Sequence, residues 1–168
     1  MKKMDVKAMV VCAVLIAAAV VLSRYLSINA WNLKIGFTFI PVFLAGYLYG
    51  PIGGAIVGGV ADLLGATLFP IGAYFPGFTL TCALQGVVYG LLLHKKQTPV
   101  RILAAVGIVQ MVLGLLLNTL WISILYGSSF EALLVTRVVQ CLIMAPVEFI
   151  VIGMMSKVMA RHKSSIVA

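Results

Sequence analysis

Amide, indole and guanidinium side chains interrupt two long apolar segments in the C-terminal half of this chain. Asn118 and Trp121 are three residues apart in the first segment, and Arg137 and Gln140 are three residues apart in the second. Residues at this spacing share one face of a helix. An amide can recognise ring donors and acceptors, an indole can stack on a ring, and a guanidinium can bind a carboxylate. The pattern therefore indicates a pocket for an anionic, partly aromatic small molecule.

Cations and an aromatic residue outside these segments extend the candidate pocket. Arg24 and Lys34, together with Arg137, are candidates for contacts at the mouth with the carboxylates of a ligand. Tyr74 is a candidate for contact with a ring. The alternative is structural, because tyrosine and tryptophan also anchor proteins at both membrane interfaces, and a buried amide often only bonds a neighbouring helix.

Two carboxylates fall inside apolar segments, and both are interpreted as polar ties between helices. Asp62 lies in a glycine-rich stretch, and Glu148 follows Pro146 in the last apolar segment. Gln85 and Tyr89 are four residues apart and align on one helical face. For Gln85 the tie and the ligand contact remain equal alternatives.

The composition assigns the chain to the integral membrane proteins. Of the 168 residues, 63% are hydrophobic and only 10% are charged, and the mean hydropathy is +1.18. A soluble domain of this size cannot bury so much apolar surface. The long, unalternating apolar runs favour helices over the strands of a barrel. No nucleic-acid partner is expected, because the net charge of +8 is explained by the position of the cations.

Turn residues and charges divide the chain into six candidate helices. They cover about 7–23, 36–49, 52–68, 77–93, 102–126 and 132–158. The predicted fold is an all-α membrane protein with six transmembrane helices in a single domain over residues 1–168.

The basic residues predict the orientation of the chain in the membrane. Nine of the twelve fall before the first span, between the fourth and fifth, and after the last: Lys2, Lys3, Lys7, Lys95, Lys96, Arg101, Lys157, Arg161 and Lys163. The positive-inside rule then makes both termini cytoplasmic. Arg24, Lys34 and Arg137 are the exceptions, at or near the outer side, which suggests a local role for them.

Small residues four apart suggest close contacts between helices. Ala13 and Ala17 form such a pair in the first span, and Gly54 and Gly58 form another in the third. For the glycine pair, internal packing is the preferred interpretation.

Signatures of an enzyme are absent from the sequence. It contains no Walker, Rossmann or metal-binding motif, and the three cysteines lie in apolar runs without metal spacing. No cofactor, metal ion or catalytic residue is expected. A small membrane enzyme and a purely structural membrane subunit are nevertheless the alternatives to a binding protein.

Three longer stretches resemble a known family. They are KIGFTFIPVFLAGYLYGPIGGAIVGGVADLLG (34–65), FPIGAYFPGFTL (69–80) and LLLNTLW (115–121). The chain resembles the S components of energy-coupling factor vitamin transporters over nearly its whole length, and these stretches look like the folate-specific branch. Other members of this class, such as those for pantothenate or riboflavin, are the alternatives.

The resemblance implies a mechanism and partners. A vitamin is captured from outside at high affinity in a pocket capped by the first loop. The subunit then docks through helix one, by Ala13 and Ala17, onto a transmembrane scaffold subunit bound to two ATPase subunits. ATP-driven changes topple it so that the pocket opens inward. The location implied is the plasma membrane of a bacterium.

Overall fold

The computed structural model describes residues 6–30, 33–70 and 73–167, and within these ranges the side chains of 28–30, 33–35, 132 and 160–167 are not described. The described chain is helical apart from one short hairpin. In order, the elements are α1 (Val6–Arg24), β1 (Ile28–Ala30), β2 (Leu33–Ile35), α2 (Phe39–Leu68), α3 (Pro76–Leu93), α4 (Pro99–Ile108), a π-helical segment (Val109–Leu117), α5 (Asn118–Tyr126) and α6 (Phe130–Val167).

Among the described residues, five helical stretches are long and apolar enough to cross a membrane. They are Val6–Arg24, Phe39–Leu68, Pro76–Leu93, Pro99–Tyr126 and Leu133–Met159. The all-helical membrane fold is therefore confirmed, whereas the prediction of six separate transmembrane helices is wrong, because the described chain has five. The predicted segments 36–49 and 52–68 belong to the single element α2, because the turn that joins them occupies one residue.

That residue is Gly50, which bends α2 back on itself. Its φ of 76° and ψ of −166° are not helical, and a positive φ is accessible to glycine without strain. Pro51 fits the start of the second arm, where its missing N–H is no loss. A Cβ on Gly53 would lie 3.4 Å from the carbonyl oxygen of Ala45, although eight residues of straight helix span about 12 Å. The two arms, residues 39–49 and 51–68, therefore run side by side in opposite directions.

The glycine pair of the second arm packs internally, as predicted. A Cβ on Gly54 would collide with the backbone of Gly86 in α3, and a Cβ on Gly58 would collide with the backbone at Cys82. Because both positions lack a side chain, α2 and α3 approach to backbone contact. This pairing fixes the register of the second arm against α3.

A two-stranded hairpin follows α1 and was not predicted. Its antiparallel strands pair Ile28 with Ile35, Asn29 with Lys34, and Ala30 with Leu33. The strand bonds pair backbone N–H and C=O groups of the segment between α1 and α2. The sequence of this segment predicts only a loop, because three-residue strands are too short for a periodic pattern.

The bundle has two different ends. His94 Nδ1 lies 2.8 Å from the carbonyl oxygen of Tyr47, which brings the end of α3 to the turn of α2, here called the Gly50 end. The opposite loop end holds the hairpin, residues 69–70 and 73–75, and the left-handed Gly127 that ends α5.

The described cations of the predicted inner segments lie toward the Gly50 end and are exposed. They are Lys7, Lys95, Lys96, Arg101 and Lys157. Lys2 and Lys3 lie outside the described residues, and the side chains of Arg161 and Lys163 are not described. The structure therefore places the described part of this charge at one end of the bundle.

The core lies where the first arm of α2 meets α3, α4, the π-helical segment and α6. Its largest fully buried side chains include Tyr47, Tyr89, Phe43, Leu93 and Ile152. Many large apolar side chains instead face outward, such as Val100 and Leu142 at 76% and 68% exposure. An outer surface of this kind suits a hydrocarbon environment, so the chain is a multi-pass membrane protein.

Candidate ligand-binding site

A cavity of about 120 Å³ opens at the loop end. It is lined by Arg24, Asp62, Ala66, Ala73, Tyr74, Phe75 and Phe78. Three helices and the segment before α3 supply these residues. Arg24 ends α1, Asp62 and Ala66 belong to the second arm of α2, and Phe78 belongs to α3, whereas residues 73–75 precede α3. A cavity of about 150 Å³ holds one benzene ring, so this slightly smaller, open one can receive the edge of a ring.

A hydrogen-bonded chain holds Asp62 at the wall of the cavity. Thr79 Oγ1 donates to Asp62 Oδ2 at 2.8 Å, and the hydroxyl of Tyr74 lies 3.2 Å from Thr79 Oγ1. The predicted tie is therefore confirmed, because Thr79 belongs to α3. Asp62 nevertheless stays half-buried and lines the cavity, so the bond leaves it accessible to a ligand.

Arg24 reaches the same cavity from α1. Its Nε lies 2.9 Å from the position that a Cβ on Gly65 would occupy, so the absence of a side chain at Gly65 gives the guanidinium its place. Within the described part of the chain this buried Nε has no hydrogen-bond partner. A buried donor without an acceptor costs about 1–3 kcal/mol, and an acceptor on a ligand would remove that cost.

Trp121 packs against Phe75, one of the residues that line the cavity. The two rings have centroids 5.5 Å apart at 42°, and Trp121 Nε1 donates to Thr81 Oγ1 at 3.1 Å. A Cβ on Gly77 would lie 2.6 Å from the indole, so glycine at the start of α3 makes room for it. Trp121 thus supports a lining residue of the cavity from behind.

Asn118 and Arg137 lie around the π-helical segment. In such a segment the backbone bonds reach five residues back, and the N–H of Asn118 at its end bonds the carbonyl oxygen of Leu113. Arg137, only 8% exposed, donates through Nη1 to the carbonyl oxygen of Gly114 at 3.2 Å. Asn118 and Gln140 are half-buried.

The predicted site residues therefore separate into groups. Arg24 and Tyr74 line the cavity, and Trp121 supports it. Arg137 contacts the π-helical segment instead. Lys34 pairs through its backbone in the hairpin, and its side chain lies outside what the structure describes.

A second polar cluster lies deep in the core. Tyr89 OH donates to Glu148 Oε2 at 3.2 Å, Gln85 Nε2 donates to Tyr89 OH at 3.5 Å, and the Gln110 amide is a further partner of Glu148. Glu148 is only 3% exposed. The predicted tie at Glu148 is therefore confirmed, and for Gln85 the structure favours the tie.

Sequence reasoning missed Phe78 and Thr79 and gave Asp62 only a structural role. A signal for Asp62 was present, because it is the single carboxylate of the second arm of α2. Nothing in the sequence identifies Thr79 or Phe78 as its neighbours, since that depends on how α3 is rotated against α2.

Ala13 and Ala17 lie on an exposed face of α1. The opposite face of α1 packs against α2, where Cys12 meets Ala45 and Val57. The alanine pair is therefore not used for packing within the described part of the chain.

Comparisons with known proteins agree with this arrangement. The family model described as "ECF transporter, substrate-specific component" matches residues 7–156. The folate transporter FolT of Clostridium novyi is 44% identical over 153 residues, which cover 90% of this chain and 88% of that protein. The folate transporter FolT of Leuconostoc mesenteroides is 33% identical over 153 residues, which cover 87% of this chain and 82% of that protein.

Two solved structures share the fold. A crystal structure of FolT bound with folic acid superposes with a TM-score of 0.86 at 37% identity, covering 90% of this chain and 95% of that one. An S component of a bacterial ECF transporter superposes with a TM-score of 0.66 at 24% identity, covering 95% of this chain and 96% of that one. The second likeness concerns the fold alone.

These matches define the class of protein. The chain belongs to the family of substrate-specific components of ECF transporters. It is thus a transport subunit that binds a substrate, and not an enzyme.

Proposed function

We propose that this protein is the folate-binding subunit of an ATP-driven importer. The observation that carries the proposal is the likeness, at 37% identity, to FolT in its complex with folic acid. The two curated relatives, both folate transporters, support the same substrate. The cavity at the loop end adds chemical support, since it combines a cation with an aromatic wall.

The proposed ligand contacts follow the chemistry of folate, which has a flat pterin ring and a tail with two carboxylates. Arg24, Lys34 and Arg137 are proposed for the carboxylates or the mouth. Tyr74, Asn118, Trp121 and Gln140 are proposed for the ring. The buried Nε atoms of Arg24 and Arg137 both lack an acceptor within the described residues. Arg24 has the stronger support from geometry, because it also lines the cavity.

Titration of the purified protein tests the substrate. We expect binding of folic acid with a dissociation constant below 1 μM, an affinity stronger than about −8 kcal/mol, and far weaker binding of pantothenate and riboflavin. Quenching of tryptophan fluorescence measures all three. Tight binding of pantothenate or riboflavin without folate would reject the folate assignment but retain the class.

We further propose that α1 docks onto a transmembrane scaffold subunit bound to two ATPase subunits. The exposed Ala13 and Ala17 suit the close approach of a partner helix. Ala13→Trp should leave folate binding in detergent unchanged and abolish uptake in cells that contain the partner subunits. Leu142→Trp is the matched control, because Leu142 is an apolar residue of α6 with 68% exposure. Normal uptake by Ala13→Trp would remove the docking role from this face.

Both termini are proposed to lie in the cytoplasm, with the protein in a bacterial plasma membrane. The exposed cations at the Gly50 end support this orientation through the positive-inside rule. Reporter fusions at the two termini, one active only inside and one only outside, test it. Termini on opposite sides would contradict the folded-back arrangement of α2 as well.

A further inference from the structure

We propose that Asp62 is a specificity-determining residue that recognises the donor edge of a pterin ring. The inference rests on the proposed function and deepens it, because it assigns an orientation to the ligand. Sequence reasoning gave this carboxylate only the role of a tie between helices, and the structure places it on the wall of the cavity.

The position of Asp62 carries the argument. Thr79 Oγ1 donates to Oδ2 at 2.8 Å, and within the described residues no donor to Oδ1 is recorded. A carboxylate inside a membrane helix is costly unless donors surround it. One hydroxyl satisfies only part of its capacity, so the cavity side of Asp62 suits further donors from a ligand or from water.

The edge of a pterin ring matches this set of groups. It presents a carbonyl oxygen, a ring N–H and an exocyclic amino group in sequence. The ring N–H and the amino group can donate to one carboxylate, as adjacent donors do in charge-assisted pairs. The carbonyl oxygen is an acceptor of the kind that the buried Nε of Arg24 lacks. Asp62 and Arg24 line the same cavity, so both contacts can be made from one place. The inference therefore assigns Arg24 to the ring and leaves the carboxylates of the tail to other cations.

Charge selects the ring over the tail for this cavity. The tail of folate carries two carboxylates, and Asp62 would repel them at close range. Arg24 offsets only one negative charge. The neutral ring meets no such repulsion, and the aromatic rings of Tyr74, Phe75 and Phe78 line the cavity beside it.

A comparison of ligands on the unmodified protein is the first test. One ligand is folic acid, and the other is an analogue in which hydrogen replaces the 2-amino group. We expect folic acid to bind about 10–100-fold more tightly, the range for a hydrogen bond to a charged group. This first test needs no variant, so it remains informative even if a substitution at Asp62 impairs folding.

The second test uses Asp62→Asn, which keeps the shape and removes the charge. Folic acid affinity should fall about 10–100-fold, and the discrimination between the two ligands should shrink to within about threefold. Thr79→Val, which removes only the donor that holds Asp62, should cause a smaller loss, about threefold. Glu131→Gln is the control, because Glu131 is an exposed carboxylate at the same end of the bundle. The folic acid affinity of this variant should equal that of the unmodified protein.

The outcomes separate the inference from the proposed function. Tight folate binding with equal affinity for the analogue, or discrimination retained in Asp62→Asn, overturns the role of Asp62 and leaves the folate assignment intact. An unmodified protein that binds neither ligand rejects the proposed function, and the inference is rejected with it. A similar loss in Glu131→Gln would show a general effect of charge and would also overturn the inference.

Discussion

Asp62 and Glu148 are two carboxylates in the membrane region with different surroundings. Glu148 is 3% exposed and has Tyr89 and Gln110 as partners inside the core. Asp62 is half-buried, accepts from Thr79, and lines a cavity. Both hold helices together, but only Asp62 also faces open space. The comparison shows that a carboxylate in an apolar helix indicates a binding site only where part of it remains accessible to a ligand.

The largest effect should come from breaking the core cluster. Glu148→Leu leaves the buried O–H donor of Tyr89 without its acceptor, which should lower the free energy of unfolding by about 2 kcal/mol. Folic acid affinity of the folded fraction should stay within threefold. Denaturant titration in detergent and ligand titration measure the two quantities. Lost affinity with unchanged stability would reverse the roles assigned to the two carboxylates.

Tyr89→Phe should have about half that effect. It removes one donor to Glu148 and leaves the other partner in place, so we expect a loss of about 1 kcal/mol. The same denaturant titration measures it. A loss larger than that of Glu148→Leu would mean that Tyr89, and not the carboxylate, organises the cluster.

On the cavity side, Trp121→Phe should destabilise the protein by only about 0.6 kcal/mol, the average for a side-chain hydrogen bond in a membrane protein. The donor to Thr81 is lost, but an aromatic ring still packs on Phe75. We expect folic acid affinity to change by less than threefold. Trp121→Ala, which removes the ring, should weaken binding more, and equal affinities for the two variants would exclude support of the cavity by stacking.

The smallest change in stability is expected for Asp62→Asn, below about 0.5 kcal/mol, as for positions outside the packed core. The amide can still accept from Thr79, so the tie survives. A thermal unfolding curve without ligand measures this. A shift as large as that of Glu148→Leu would show that both carboxylates are structural, and the contrast between them would disappear.

The sequence predicted the membrane class, most helix positions and the polar ties, because these follow from hydropathy and local spacing. The packing of Gly54 and Gly58 was predicted for the same reason. Spacing places Asn118 and Trp121 on one face, but it does not say which neighbour that face meets. Trp121 turned out to contact α3, whereas Arg137 contacts the π-helical segment.

Other features depend on interactions that one-dimensional patterns do not contain. The hairpin β1–β2 is too short to show alternation, and the π-helical segment has the same apolar composition as the helix around it. The count of helices was wrong because a Gly-Pro pair predicts a break but not its length. The cavity arises where three helices and the segment before α3 meet, so its lining was only partly predictable.

The one-residue turn at Gly50 has a consequence for biosynthesis. The first arm, residues 39–49, is about 16 Å long at 1.5 Å per residue, roughly half the thickness of the hydrocarbon layer. Such a segment is too short to be integrated alone by the insertion machinery. We therefore expect the two arms to enter the lipid together, as a single hairpin whose turn is Gly50.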